Sequence, residues 1–145
     1  MSNLFSPRSF AEDGIVFAQS EVSILSRGHS YKFNVEVADR DDLRARGLMF
    51  RTQMADRNGM LFFFKKNQMI IMWMKNTFIP LDILFINQEG VIVHIAKSTV
   101  PESLDYISSG EAVISALEVN AGITNRLNIK VGDKIDHVFF NPSSK

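Results

Sequence analysis

The chain has 145 residues, sixteen Lys plus Arg against sixteen Asp plus Glu, and no cysteine. One domain is the expectation at this length, able to bury about two-thirds of its unfolded surface, and 46% hydrophobic with 22% charged residues excludes a disordered chain. Zero net charge excludes a broadly basic nucleic-acid binder, and the lack of cysteine excludes disulfides, thiolate nucleophiles and Cys-based metal centres.

Residues 1–20 read as an N-terminal arm, 21–141 as a single β-rich domain and 142–145 as a short tail. No apolar run reaches the roughly 20 residues of a membrane-spanning helix. No signal-peptide core is present either, since Glu12 and Asp13 precede the short stretch from Gly14 to Ala18. The chain as written is therefore expected to be cytosolic, or an exported protein written without its leader.

A strand over about 22–27 turns through Gly28 and His29 into a second, in which Tyr31, Phe33, Val35 and Val37 alternate with Lys32, Asn34 and Glu36. A short helix follows. Asp39, Asp41 and Asp42 suit its positive end, Arg44 and Arg46 fall late, and Gly47 supplies the stop. Met60–Phe64, Met69–Met74, Leu81–Ile86 and Val91–Ile95 are apolar runs too short for typical helices, and they predict strands buried on both faces. Val113–Val119 is another strand, Ala121–Leu127 a short helix, and Lys134–Phe140 a final strand after the Gly132-Asp133 turn. The fold class is mainly β: one compact antiparallel or mixed β-barrel or β-sandwich with one or two short helices.

Many chemistries have no motif here. The eight glycines are isolated, so phosphate-cradling loops of the GxGxxG or GxxxxGK[ST] type are absent. His29, His94 and His137 show no metal-ligand spacing, and Ser108-Ser109-Gly110 lacks the nucleophile-elbow pattern. No metal and no cofactor are expected.

Two features stand out. Six of the seven methionines, Met49, Met54, Met60, Met69, Met72 and Met74, fall within 26 consecutive positions among Phe62, Phe63, Phe64 and Trp73. Thioethers suit Cu(I), but interleaved aromatic rings favour adaptable core or pocket lining. The second feature is the stretch Trp73-Met74-Lys75-Asn76-Thr77-Phe78-Ile79-Pro80-Leu81-Asp82, where an apolar strand runs into an ammonium, an amide and a hydroxyl. The Ile79–Pro80 bond is a candidate cis peptide. Asp82 lies inside an apolar run, so burial demands a partner or a raised pKa, and Lys75, Arg51 and Arg46 are the nearest cations in sequence. A structural reading makes Asp82 a buried ion pair or an acceptor of backbone N–H bonds. A functional reading makes Lys75 an anion clamp, Asn76 and Thr77 donors, Asp82 an acceptor or base, and Trp73 an apolar wall.

These residues carry a family resemblance. Val35-Glu36-Val37-Ala38, Arg44 to Arg51, Gly59-Met60-Leu61-Phe62, Trp73 to Thr77 with Ile79 to Ile86, Leu117-Glu118 and Ile129 to Asp133 resemble the bacterial and archaeal domain of unknown function 192 (UPF0127). The resemblance spans about residues 33–137, and the GLMFR and WMKNTxIPLDxLFI blocks are its most specific parts. It departs where the family usually has Thr and this chain has Arg40, and where the family often has Glu and this chain has Leu43. It implies a compact β-rich barrel or sandwich, and relatives that are often exported. It implies no activity, so Arg51, Trp73, Lys75, Asn76, Thr77 and Asp82 carry over as signature positions only.

The leading functional reading is a non-catalytic ligand-binding or accessory module with a small polar, anion-accepting cleft at this signature. One alternative is a metal-independent hydrolase or lyase using Asp82 with Lys75 or Arg51. Another is a structural or interaction protein whose signature only encodes the fold. The balanced charge is uneven along the chain: seven Lys plus Arg face one acid between Leu43 and Lys75, and four acids face no cation between Ser98 and Asn125. The cationic segment favours an anionic ligand, unless the two segments neutralise each other across the fold.

Overall fold

The computed structural model of the protein describes residues 8–10 and 14–140. The described residues are mainly β, with eight strands and two short helices: β1 (Arg8–Phe10), β2 (Val16–Ser26), β3 (His29–Ala38), α1 (Asp41–Arg46), β4 (Asn58–Met72), β5 (Leu81–Ile86), β6 (Ile92–Ala96), β7 (Ile107–Asn120), α2 (Ile123–Arg126) and β8 (Lys134–Asp136). The predicted tail, 142–145, lies outside the described residues.

Strands β2 and β3 form a hairpin with Ser26 opposite His29. Its two-residue turn is Arg27-Gly28, with φ of 50° and 81°, one position earlier than the sequence suggests. Positive φ at both central residues matches the right-handed twist of the flanking strands. Strand β2 begins at Val16, so the predicted arm is partly sheet: Arg8–Phe10 pairs with Val16–Ala18, and Phe17 is fully buried. The strand is hidden in sequence because one of its faces turns from Phe17 to Gln19 and Glu21, which breaks the apolar alternation.

Two predicted strands, 60–64 and 69–74, are one. Strand β4 runs through Lys65-Lys66-Asn67, which form an irregularity in its ladder with β7 between Phe63 and Gln68. Strand β7 begins at Ile107, earlier than its apolar core suggests, with Gly110 at φ 79°. Ser109 accepts from the Ile70 N–H and donates to the Glu111 carbonyl, stitching the two strands where regular pairing fails. The last strand stops at Asp136; His137–Phe140 instead form a turn closed by Phe140 N–H to His137 O at 2.9 Å.

The strand order is β1-β2-β3-β4-β7-β5-β6, with β8 also on β2, and β3–β4 is the parallel pair in an otherwise antiparallel sheet. The sheet coils without closing; an isolated bridge, Val91 to Lys134, spans its gap. Both faces bury apolar side chains. Val22, Ile24, Phe33, Val35, Leu84 and Leu117 belong to one cluster, and Phe17, Met60, Phe62, Ile83, Phe85 and Ala116 to the other. Strand β5, between β7 and β6, is therefore buried at all six positions, which explains its unbroken apolar run.

Helix α1 has Arg40 at its N-cap, without a side-chain cap bond; the Arg40 guanidinium pairs with Asp42. Thr and Glu at positions 40 and 43, the residues implied by the resemblance, would form a capping box. This chain has Arg40 and Leu43 instead, and Leu43 is buried in the core. Among the described residues no helix is long and apolar enough to cross a membrane.

Candidate functional site

The signature residues separate. Asp82 is 1% exposed, and its carboxylate accepts four hydrogen bonds: from Ser98 N at 2.9 Å, Gly122 N at 3.2 Å, Thr124 N at 3.1 Å and Thr124 Oγ1 at 2.7 Å. Asp82 thus holds the start of α2 and the segment after β6. Its partners are backbone N–H groups and a hydroxyl, not Lys75, Arg51 or Arg46. Lys75 is exposed, with Nζ 5.2 Å from the centroid of the half-exposed Trp73 ring. Thr77 is buried; its hydroxyl donates to Lys75 O at 3.0 Å, closing the turn on itself. Asn76 takes φ 53°, and its carbonyl accepts from Phe50 N at 2.8 Å. Among the described residues every peptide bond is trans, Ile79–Pro80 included.

Arg51, one residue beyond Phe50, lies elsewhere. Its guanidinium donates to both Glu36 oxygens, at 2.6 Å and 3.3 Å, and stands 5.7 Å over the Phe17 ring. Around this pair is a polar cleft of about 100 Å³, lined by Gln19, Asn34, Glu36, Arg51, Met54 and Asn58 among others. Ladder register assembles it. Gln19 lies opposite Glu36, Asn34 pairs with Asn58, and Glu36 pairs with Met60, so these side chains share one face of the sheet. The signature turn is tied to the cleft through the backbone, because the Phe50–Asn76 bond holds the residue next to Arg51.

The same row continues: Met60 pairs with Glu118, and Glu118 with Ile83. Glu118 is 4% exposed and its carboxyl has no hydrogen-bond or ion-pair partner among the described residues. Burial, which disfavours the charged form, pushes its pKa up to about 8. Two residues on, along the same face, Asn120 Nδ2 donates to Met54 O at 2.7 Å and to Asp56 Oδ1 at 3.2 Å, while Asn120 Oδ1 is buried without a partner among the described residues. Arg126 of α2 pairs with Asp56 at 3.3 Å. Asp82, by holding α2, therefore connects to this cluster through the backbone.

The methionines and histidines do not converge on a site. Met60 and Met74 are buried, Met54 and Met72 pack against the core, and Met69 is exposed on the opposite face of β4. His29 stacks on Tyr31, His94 on Phe85, and His137 Nε2 meets Ser20 Oγ at 2.9 Å. Among the described residues no group of three His, Asp or Glu could hold a metal ion.

One surface is unusually apolar. Beyond the irregularity in β4, the outward face of the β4–β7 ribbon exposes Met69, Ile71 and Trp73, with Tyr106 beside them. Ile71, Met72, Trp73 and Tyr106 line an open depression of about 370 Å³.

Of the residues gathered at the cleft, only Arg51 stands out from sequence. Asn34 and Glu36 read as the wet face of an alternating strand. Glu118, between Leu117 and Val119, satisfies the same criterion that marks Asp82: an acid inside an apolar run.

Comparisons with known proteins agree with this fold. The family model DUF192, described as "Uncharacterized ACR", matches residues 22–137. A crystal structure described as a "putative transcription regulator" from Sinorhizobium meliloti 1021 is 40% identical, with TM-score 0.83, covering 85% of this chain and 96% of that one. The crystal structure of a protein of unknown function from Novosphingobium aromaticivorans DSM 12444 is 31% identical, with TM-score 0.81, covering 92% of this chain and 94% of that one. A comparison with curated proteins gives no match.

Proposed function

We propose that this chain, which belongs to the DUF192 family, is a small-ligand-binding or accessory module whose ligand occupies the polar cleft around Arg51. The observation that carries the reading is the partly exposed Arg51–Glu36 pair, at 2.6 Å, inside a concave site edged by two asparagines. Such a site offers a charged fork, amides and a carboxylate in fixed positions on strands, as small polar ligands require. In this reading Arg51 touches the ligand, whereas Trp73, Lys75, Asn76, Thr77 and Asp82 frame the site. Glu36 already neutralises Arg51, so a free anion must compete with it, and polar ligands without strong negative charge fit better.

A thermal-shift panel of monosaccharides, small amides, carboxylates and phosphates tests this. At least one compound is expected to raise the Tm of the wild type, with the rise lost in Arg51→Ala and kept in Lys75→Ala. The opposite pattern moves the ligand to the signature turn.

A second reading, an interaction protein, is favoured by the bare ribbon face, since contiguous exposed apolar surface marks contact sites. It predicts that Trp73→Ser, together with Tyr106→Ser, abolishes binding to a partner without altering the panel response.

A further inference from the structure

We propose that Glu118 and Asn120 form a buried extension of the cleft that receives the neutral end of the ligand, a group with a hydrogen-bond donor and an acceptor side by side, of which a carboxamide is the simplest. This rests on the cleft being the ligand site. Three observations carry it. First, Asn120 Nδ2 is spent on two acceptors, Met54 O and Asp56 Oδ1, which fixes the amide's orientation and leaves Oδ1 as a buried acceptor with nothing to accept from. Second, Glu118 is buried between Met60 and Ile83 with no partner for its carboxyl, so a group it can donate to is missing from the described residues. Third, the two residues are i and i+2 on one strand face, about 7 Å apart at Cα, and Asn120 is bonded to Met54, a wall of the cleft.

The unmet needs are complementary. Asn120 Oδ1 lacks a donor, and a protonated Glu118 supplies an O–H that lacks an acceptor. A carboxamide N–H fits the first and its C=O fits the second. The charges facing this place cancel. From β3 comes Glu36, paired with Arg51; from the segment before β4 comes Asp56, paired with Arg126 of α2; β4 and β5 present Met60 and Ile83. Neither a cation nor an anion is called for. The burial that keeps Glu118 protonated keeps its O–H available up to about pH 8.

The test is an NMR titration of isotope-labelled full-length protein with acetamide, and with acetate as the charged control. At pH 6.5 acetamide should shift the Asn120 side-chain amide and the Glu118 carboxyl carbon, and acetate should not. Acetamide affinity in the wild type should weaken about tenfold per pH unit above the Glu118 pKa of about 8. Glu118→Gln, which keeps a donor and stays neutral, should bind acetamide with no such pH dependence. Shifts at Arg51 and Asn58 without shifts at Glu118 and Asn120 would overturn this inference and leave the cleft reading standing. Equal binding of acetate at pH 6.5, or pH-independent binding by the wild type, also overturns it. No shift in either group removes both, leaving ordered water as the partner of Asn120 and Glu118.

Discussion

Two buried carboxyls in this protein have opposite surroundings. Asp82 takes hydrogen bonds from three backbone N–H groups and a hydroxyl; Glu118 takes none. Asp82 is structural, since truncating it orphans all its donors. Asp82→Ala should cost about 3 kcal/mol or more in urea denaturation. Glu118 leaves a different mark. Its folded pKa, about 8, lies above the unfolded value of 4.5, so the native state holds a proton that the unfolded state releases. Its stabilising contribution is full below pH 4.5 and is lost progressively as pH rises to about 8. Glu118→Gln should therefore flatten the decline of stability across that window, by about 1.4 kcal/mol per pH unit at most. An unchanged slope would show that Glu118 is ionised in the fold. The demand for a partner at Asp82 is legible in sequence because an acid sits among Leu81, Ile83 and Leu84; the identity of the partner is not, because Ser98 and Thr124 arrive from distant loops.

At the scale of elements, strand existence is legible wherever both faces are buried, as in β5, whose six residues match the predicted run. It is least legible where a strand changes character. Strand β2 passes from core to the polar cleft at Gln19, and β4 crosses Lys65-Lys66-Asn67 while still paired to β7 through the far side. Local composition reports neither, because pairing with neighbouring strands holds the residues in place: β3 for β2, and β7 for β4. Gly59 shows how tightly the ladder is drawn: a Cβ there would lie 2.4 Å from the Glu118 carbonyl oxygen. Gly59→Ala should cost about 2–3 kcal/mol, read by chemical denaturation, because backbone cannot move aside as a flexible side chain can. Helix α1 offers the converse. Arg40 occupies an N-cap without capping, so Arg40→Thr should raise Tm by about 2 °C.

Over the whole molecule, the neutral charge total divides along the chain and is rejoined by the fold. The cationic stretch includes β4, the acidic stretch includes β7, and the two strands pair. The ion pairs among the described residues run elsewhere, however: Arg44 with Asp41, Arg51 with Glu36, and Asp56 with Arg126. The signature blocks also change meaning at this scale. Adjacency in sequence makes them read as one site, but the sheet sends Asp82 to one face, Lys75 to the surface, and Arg51 to the cleft with Glu36. Only the fold brings Asn34, Glu36, Asn58 and Arg51 together, since register between distant strands has no trace in local pattern. The most direct test of the account is a crystal structure of the protein soaked with the compound giving the largest thermal shift. The account predicts that compound in the cleft, hydrogen-bonded to Arg51 and to Asn34 or Asn58. Finding it against Trp73 and Lys75, with the Arg51 cleft unchanged, would contradict it.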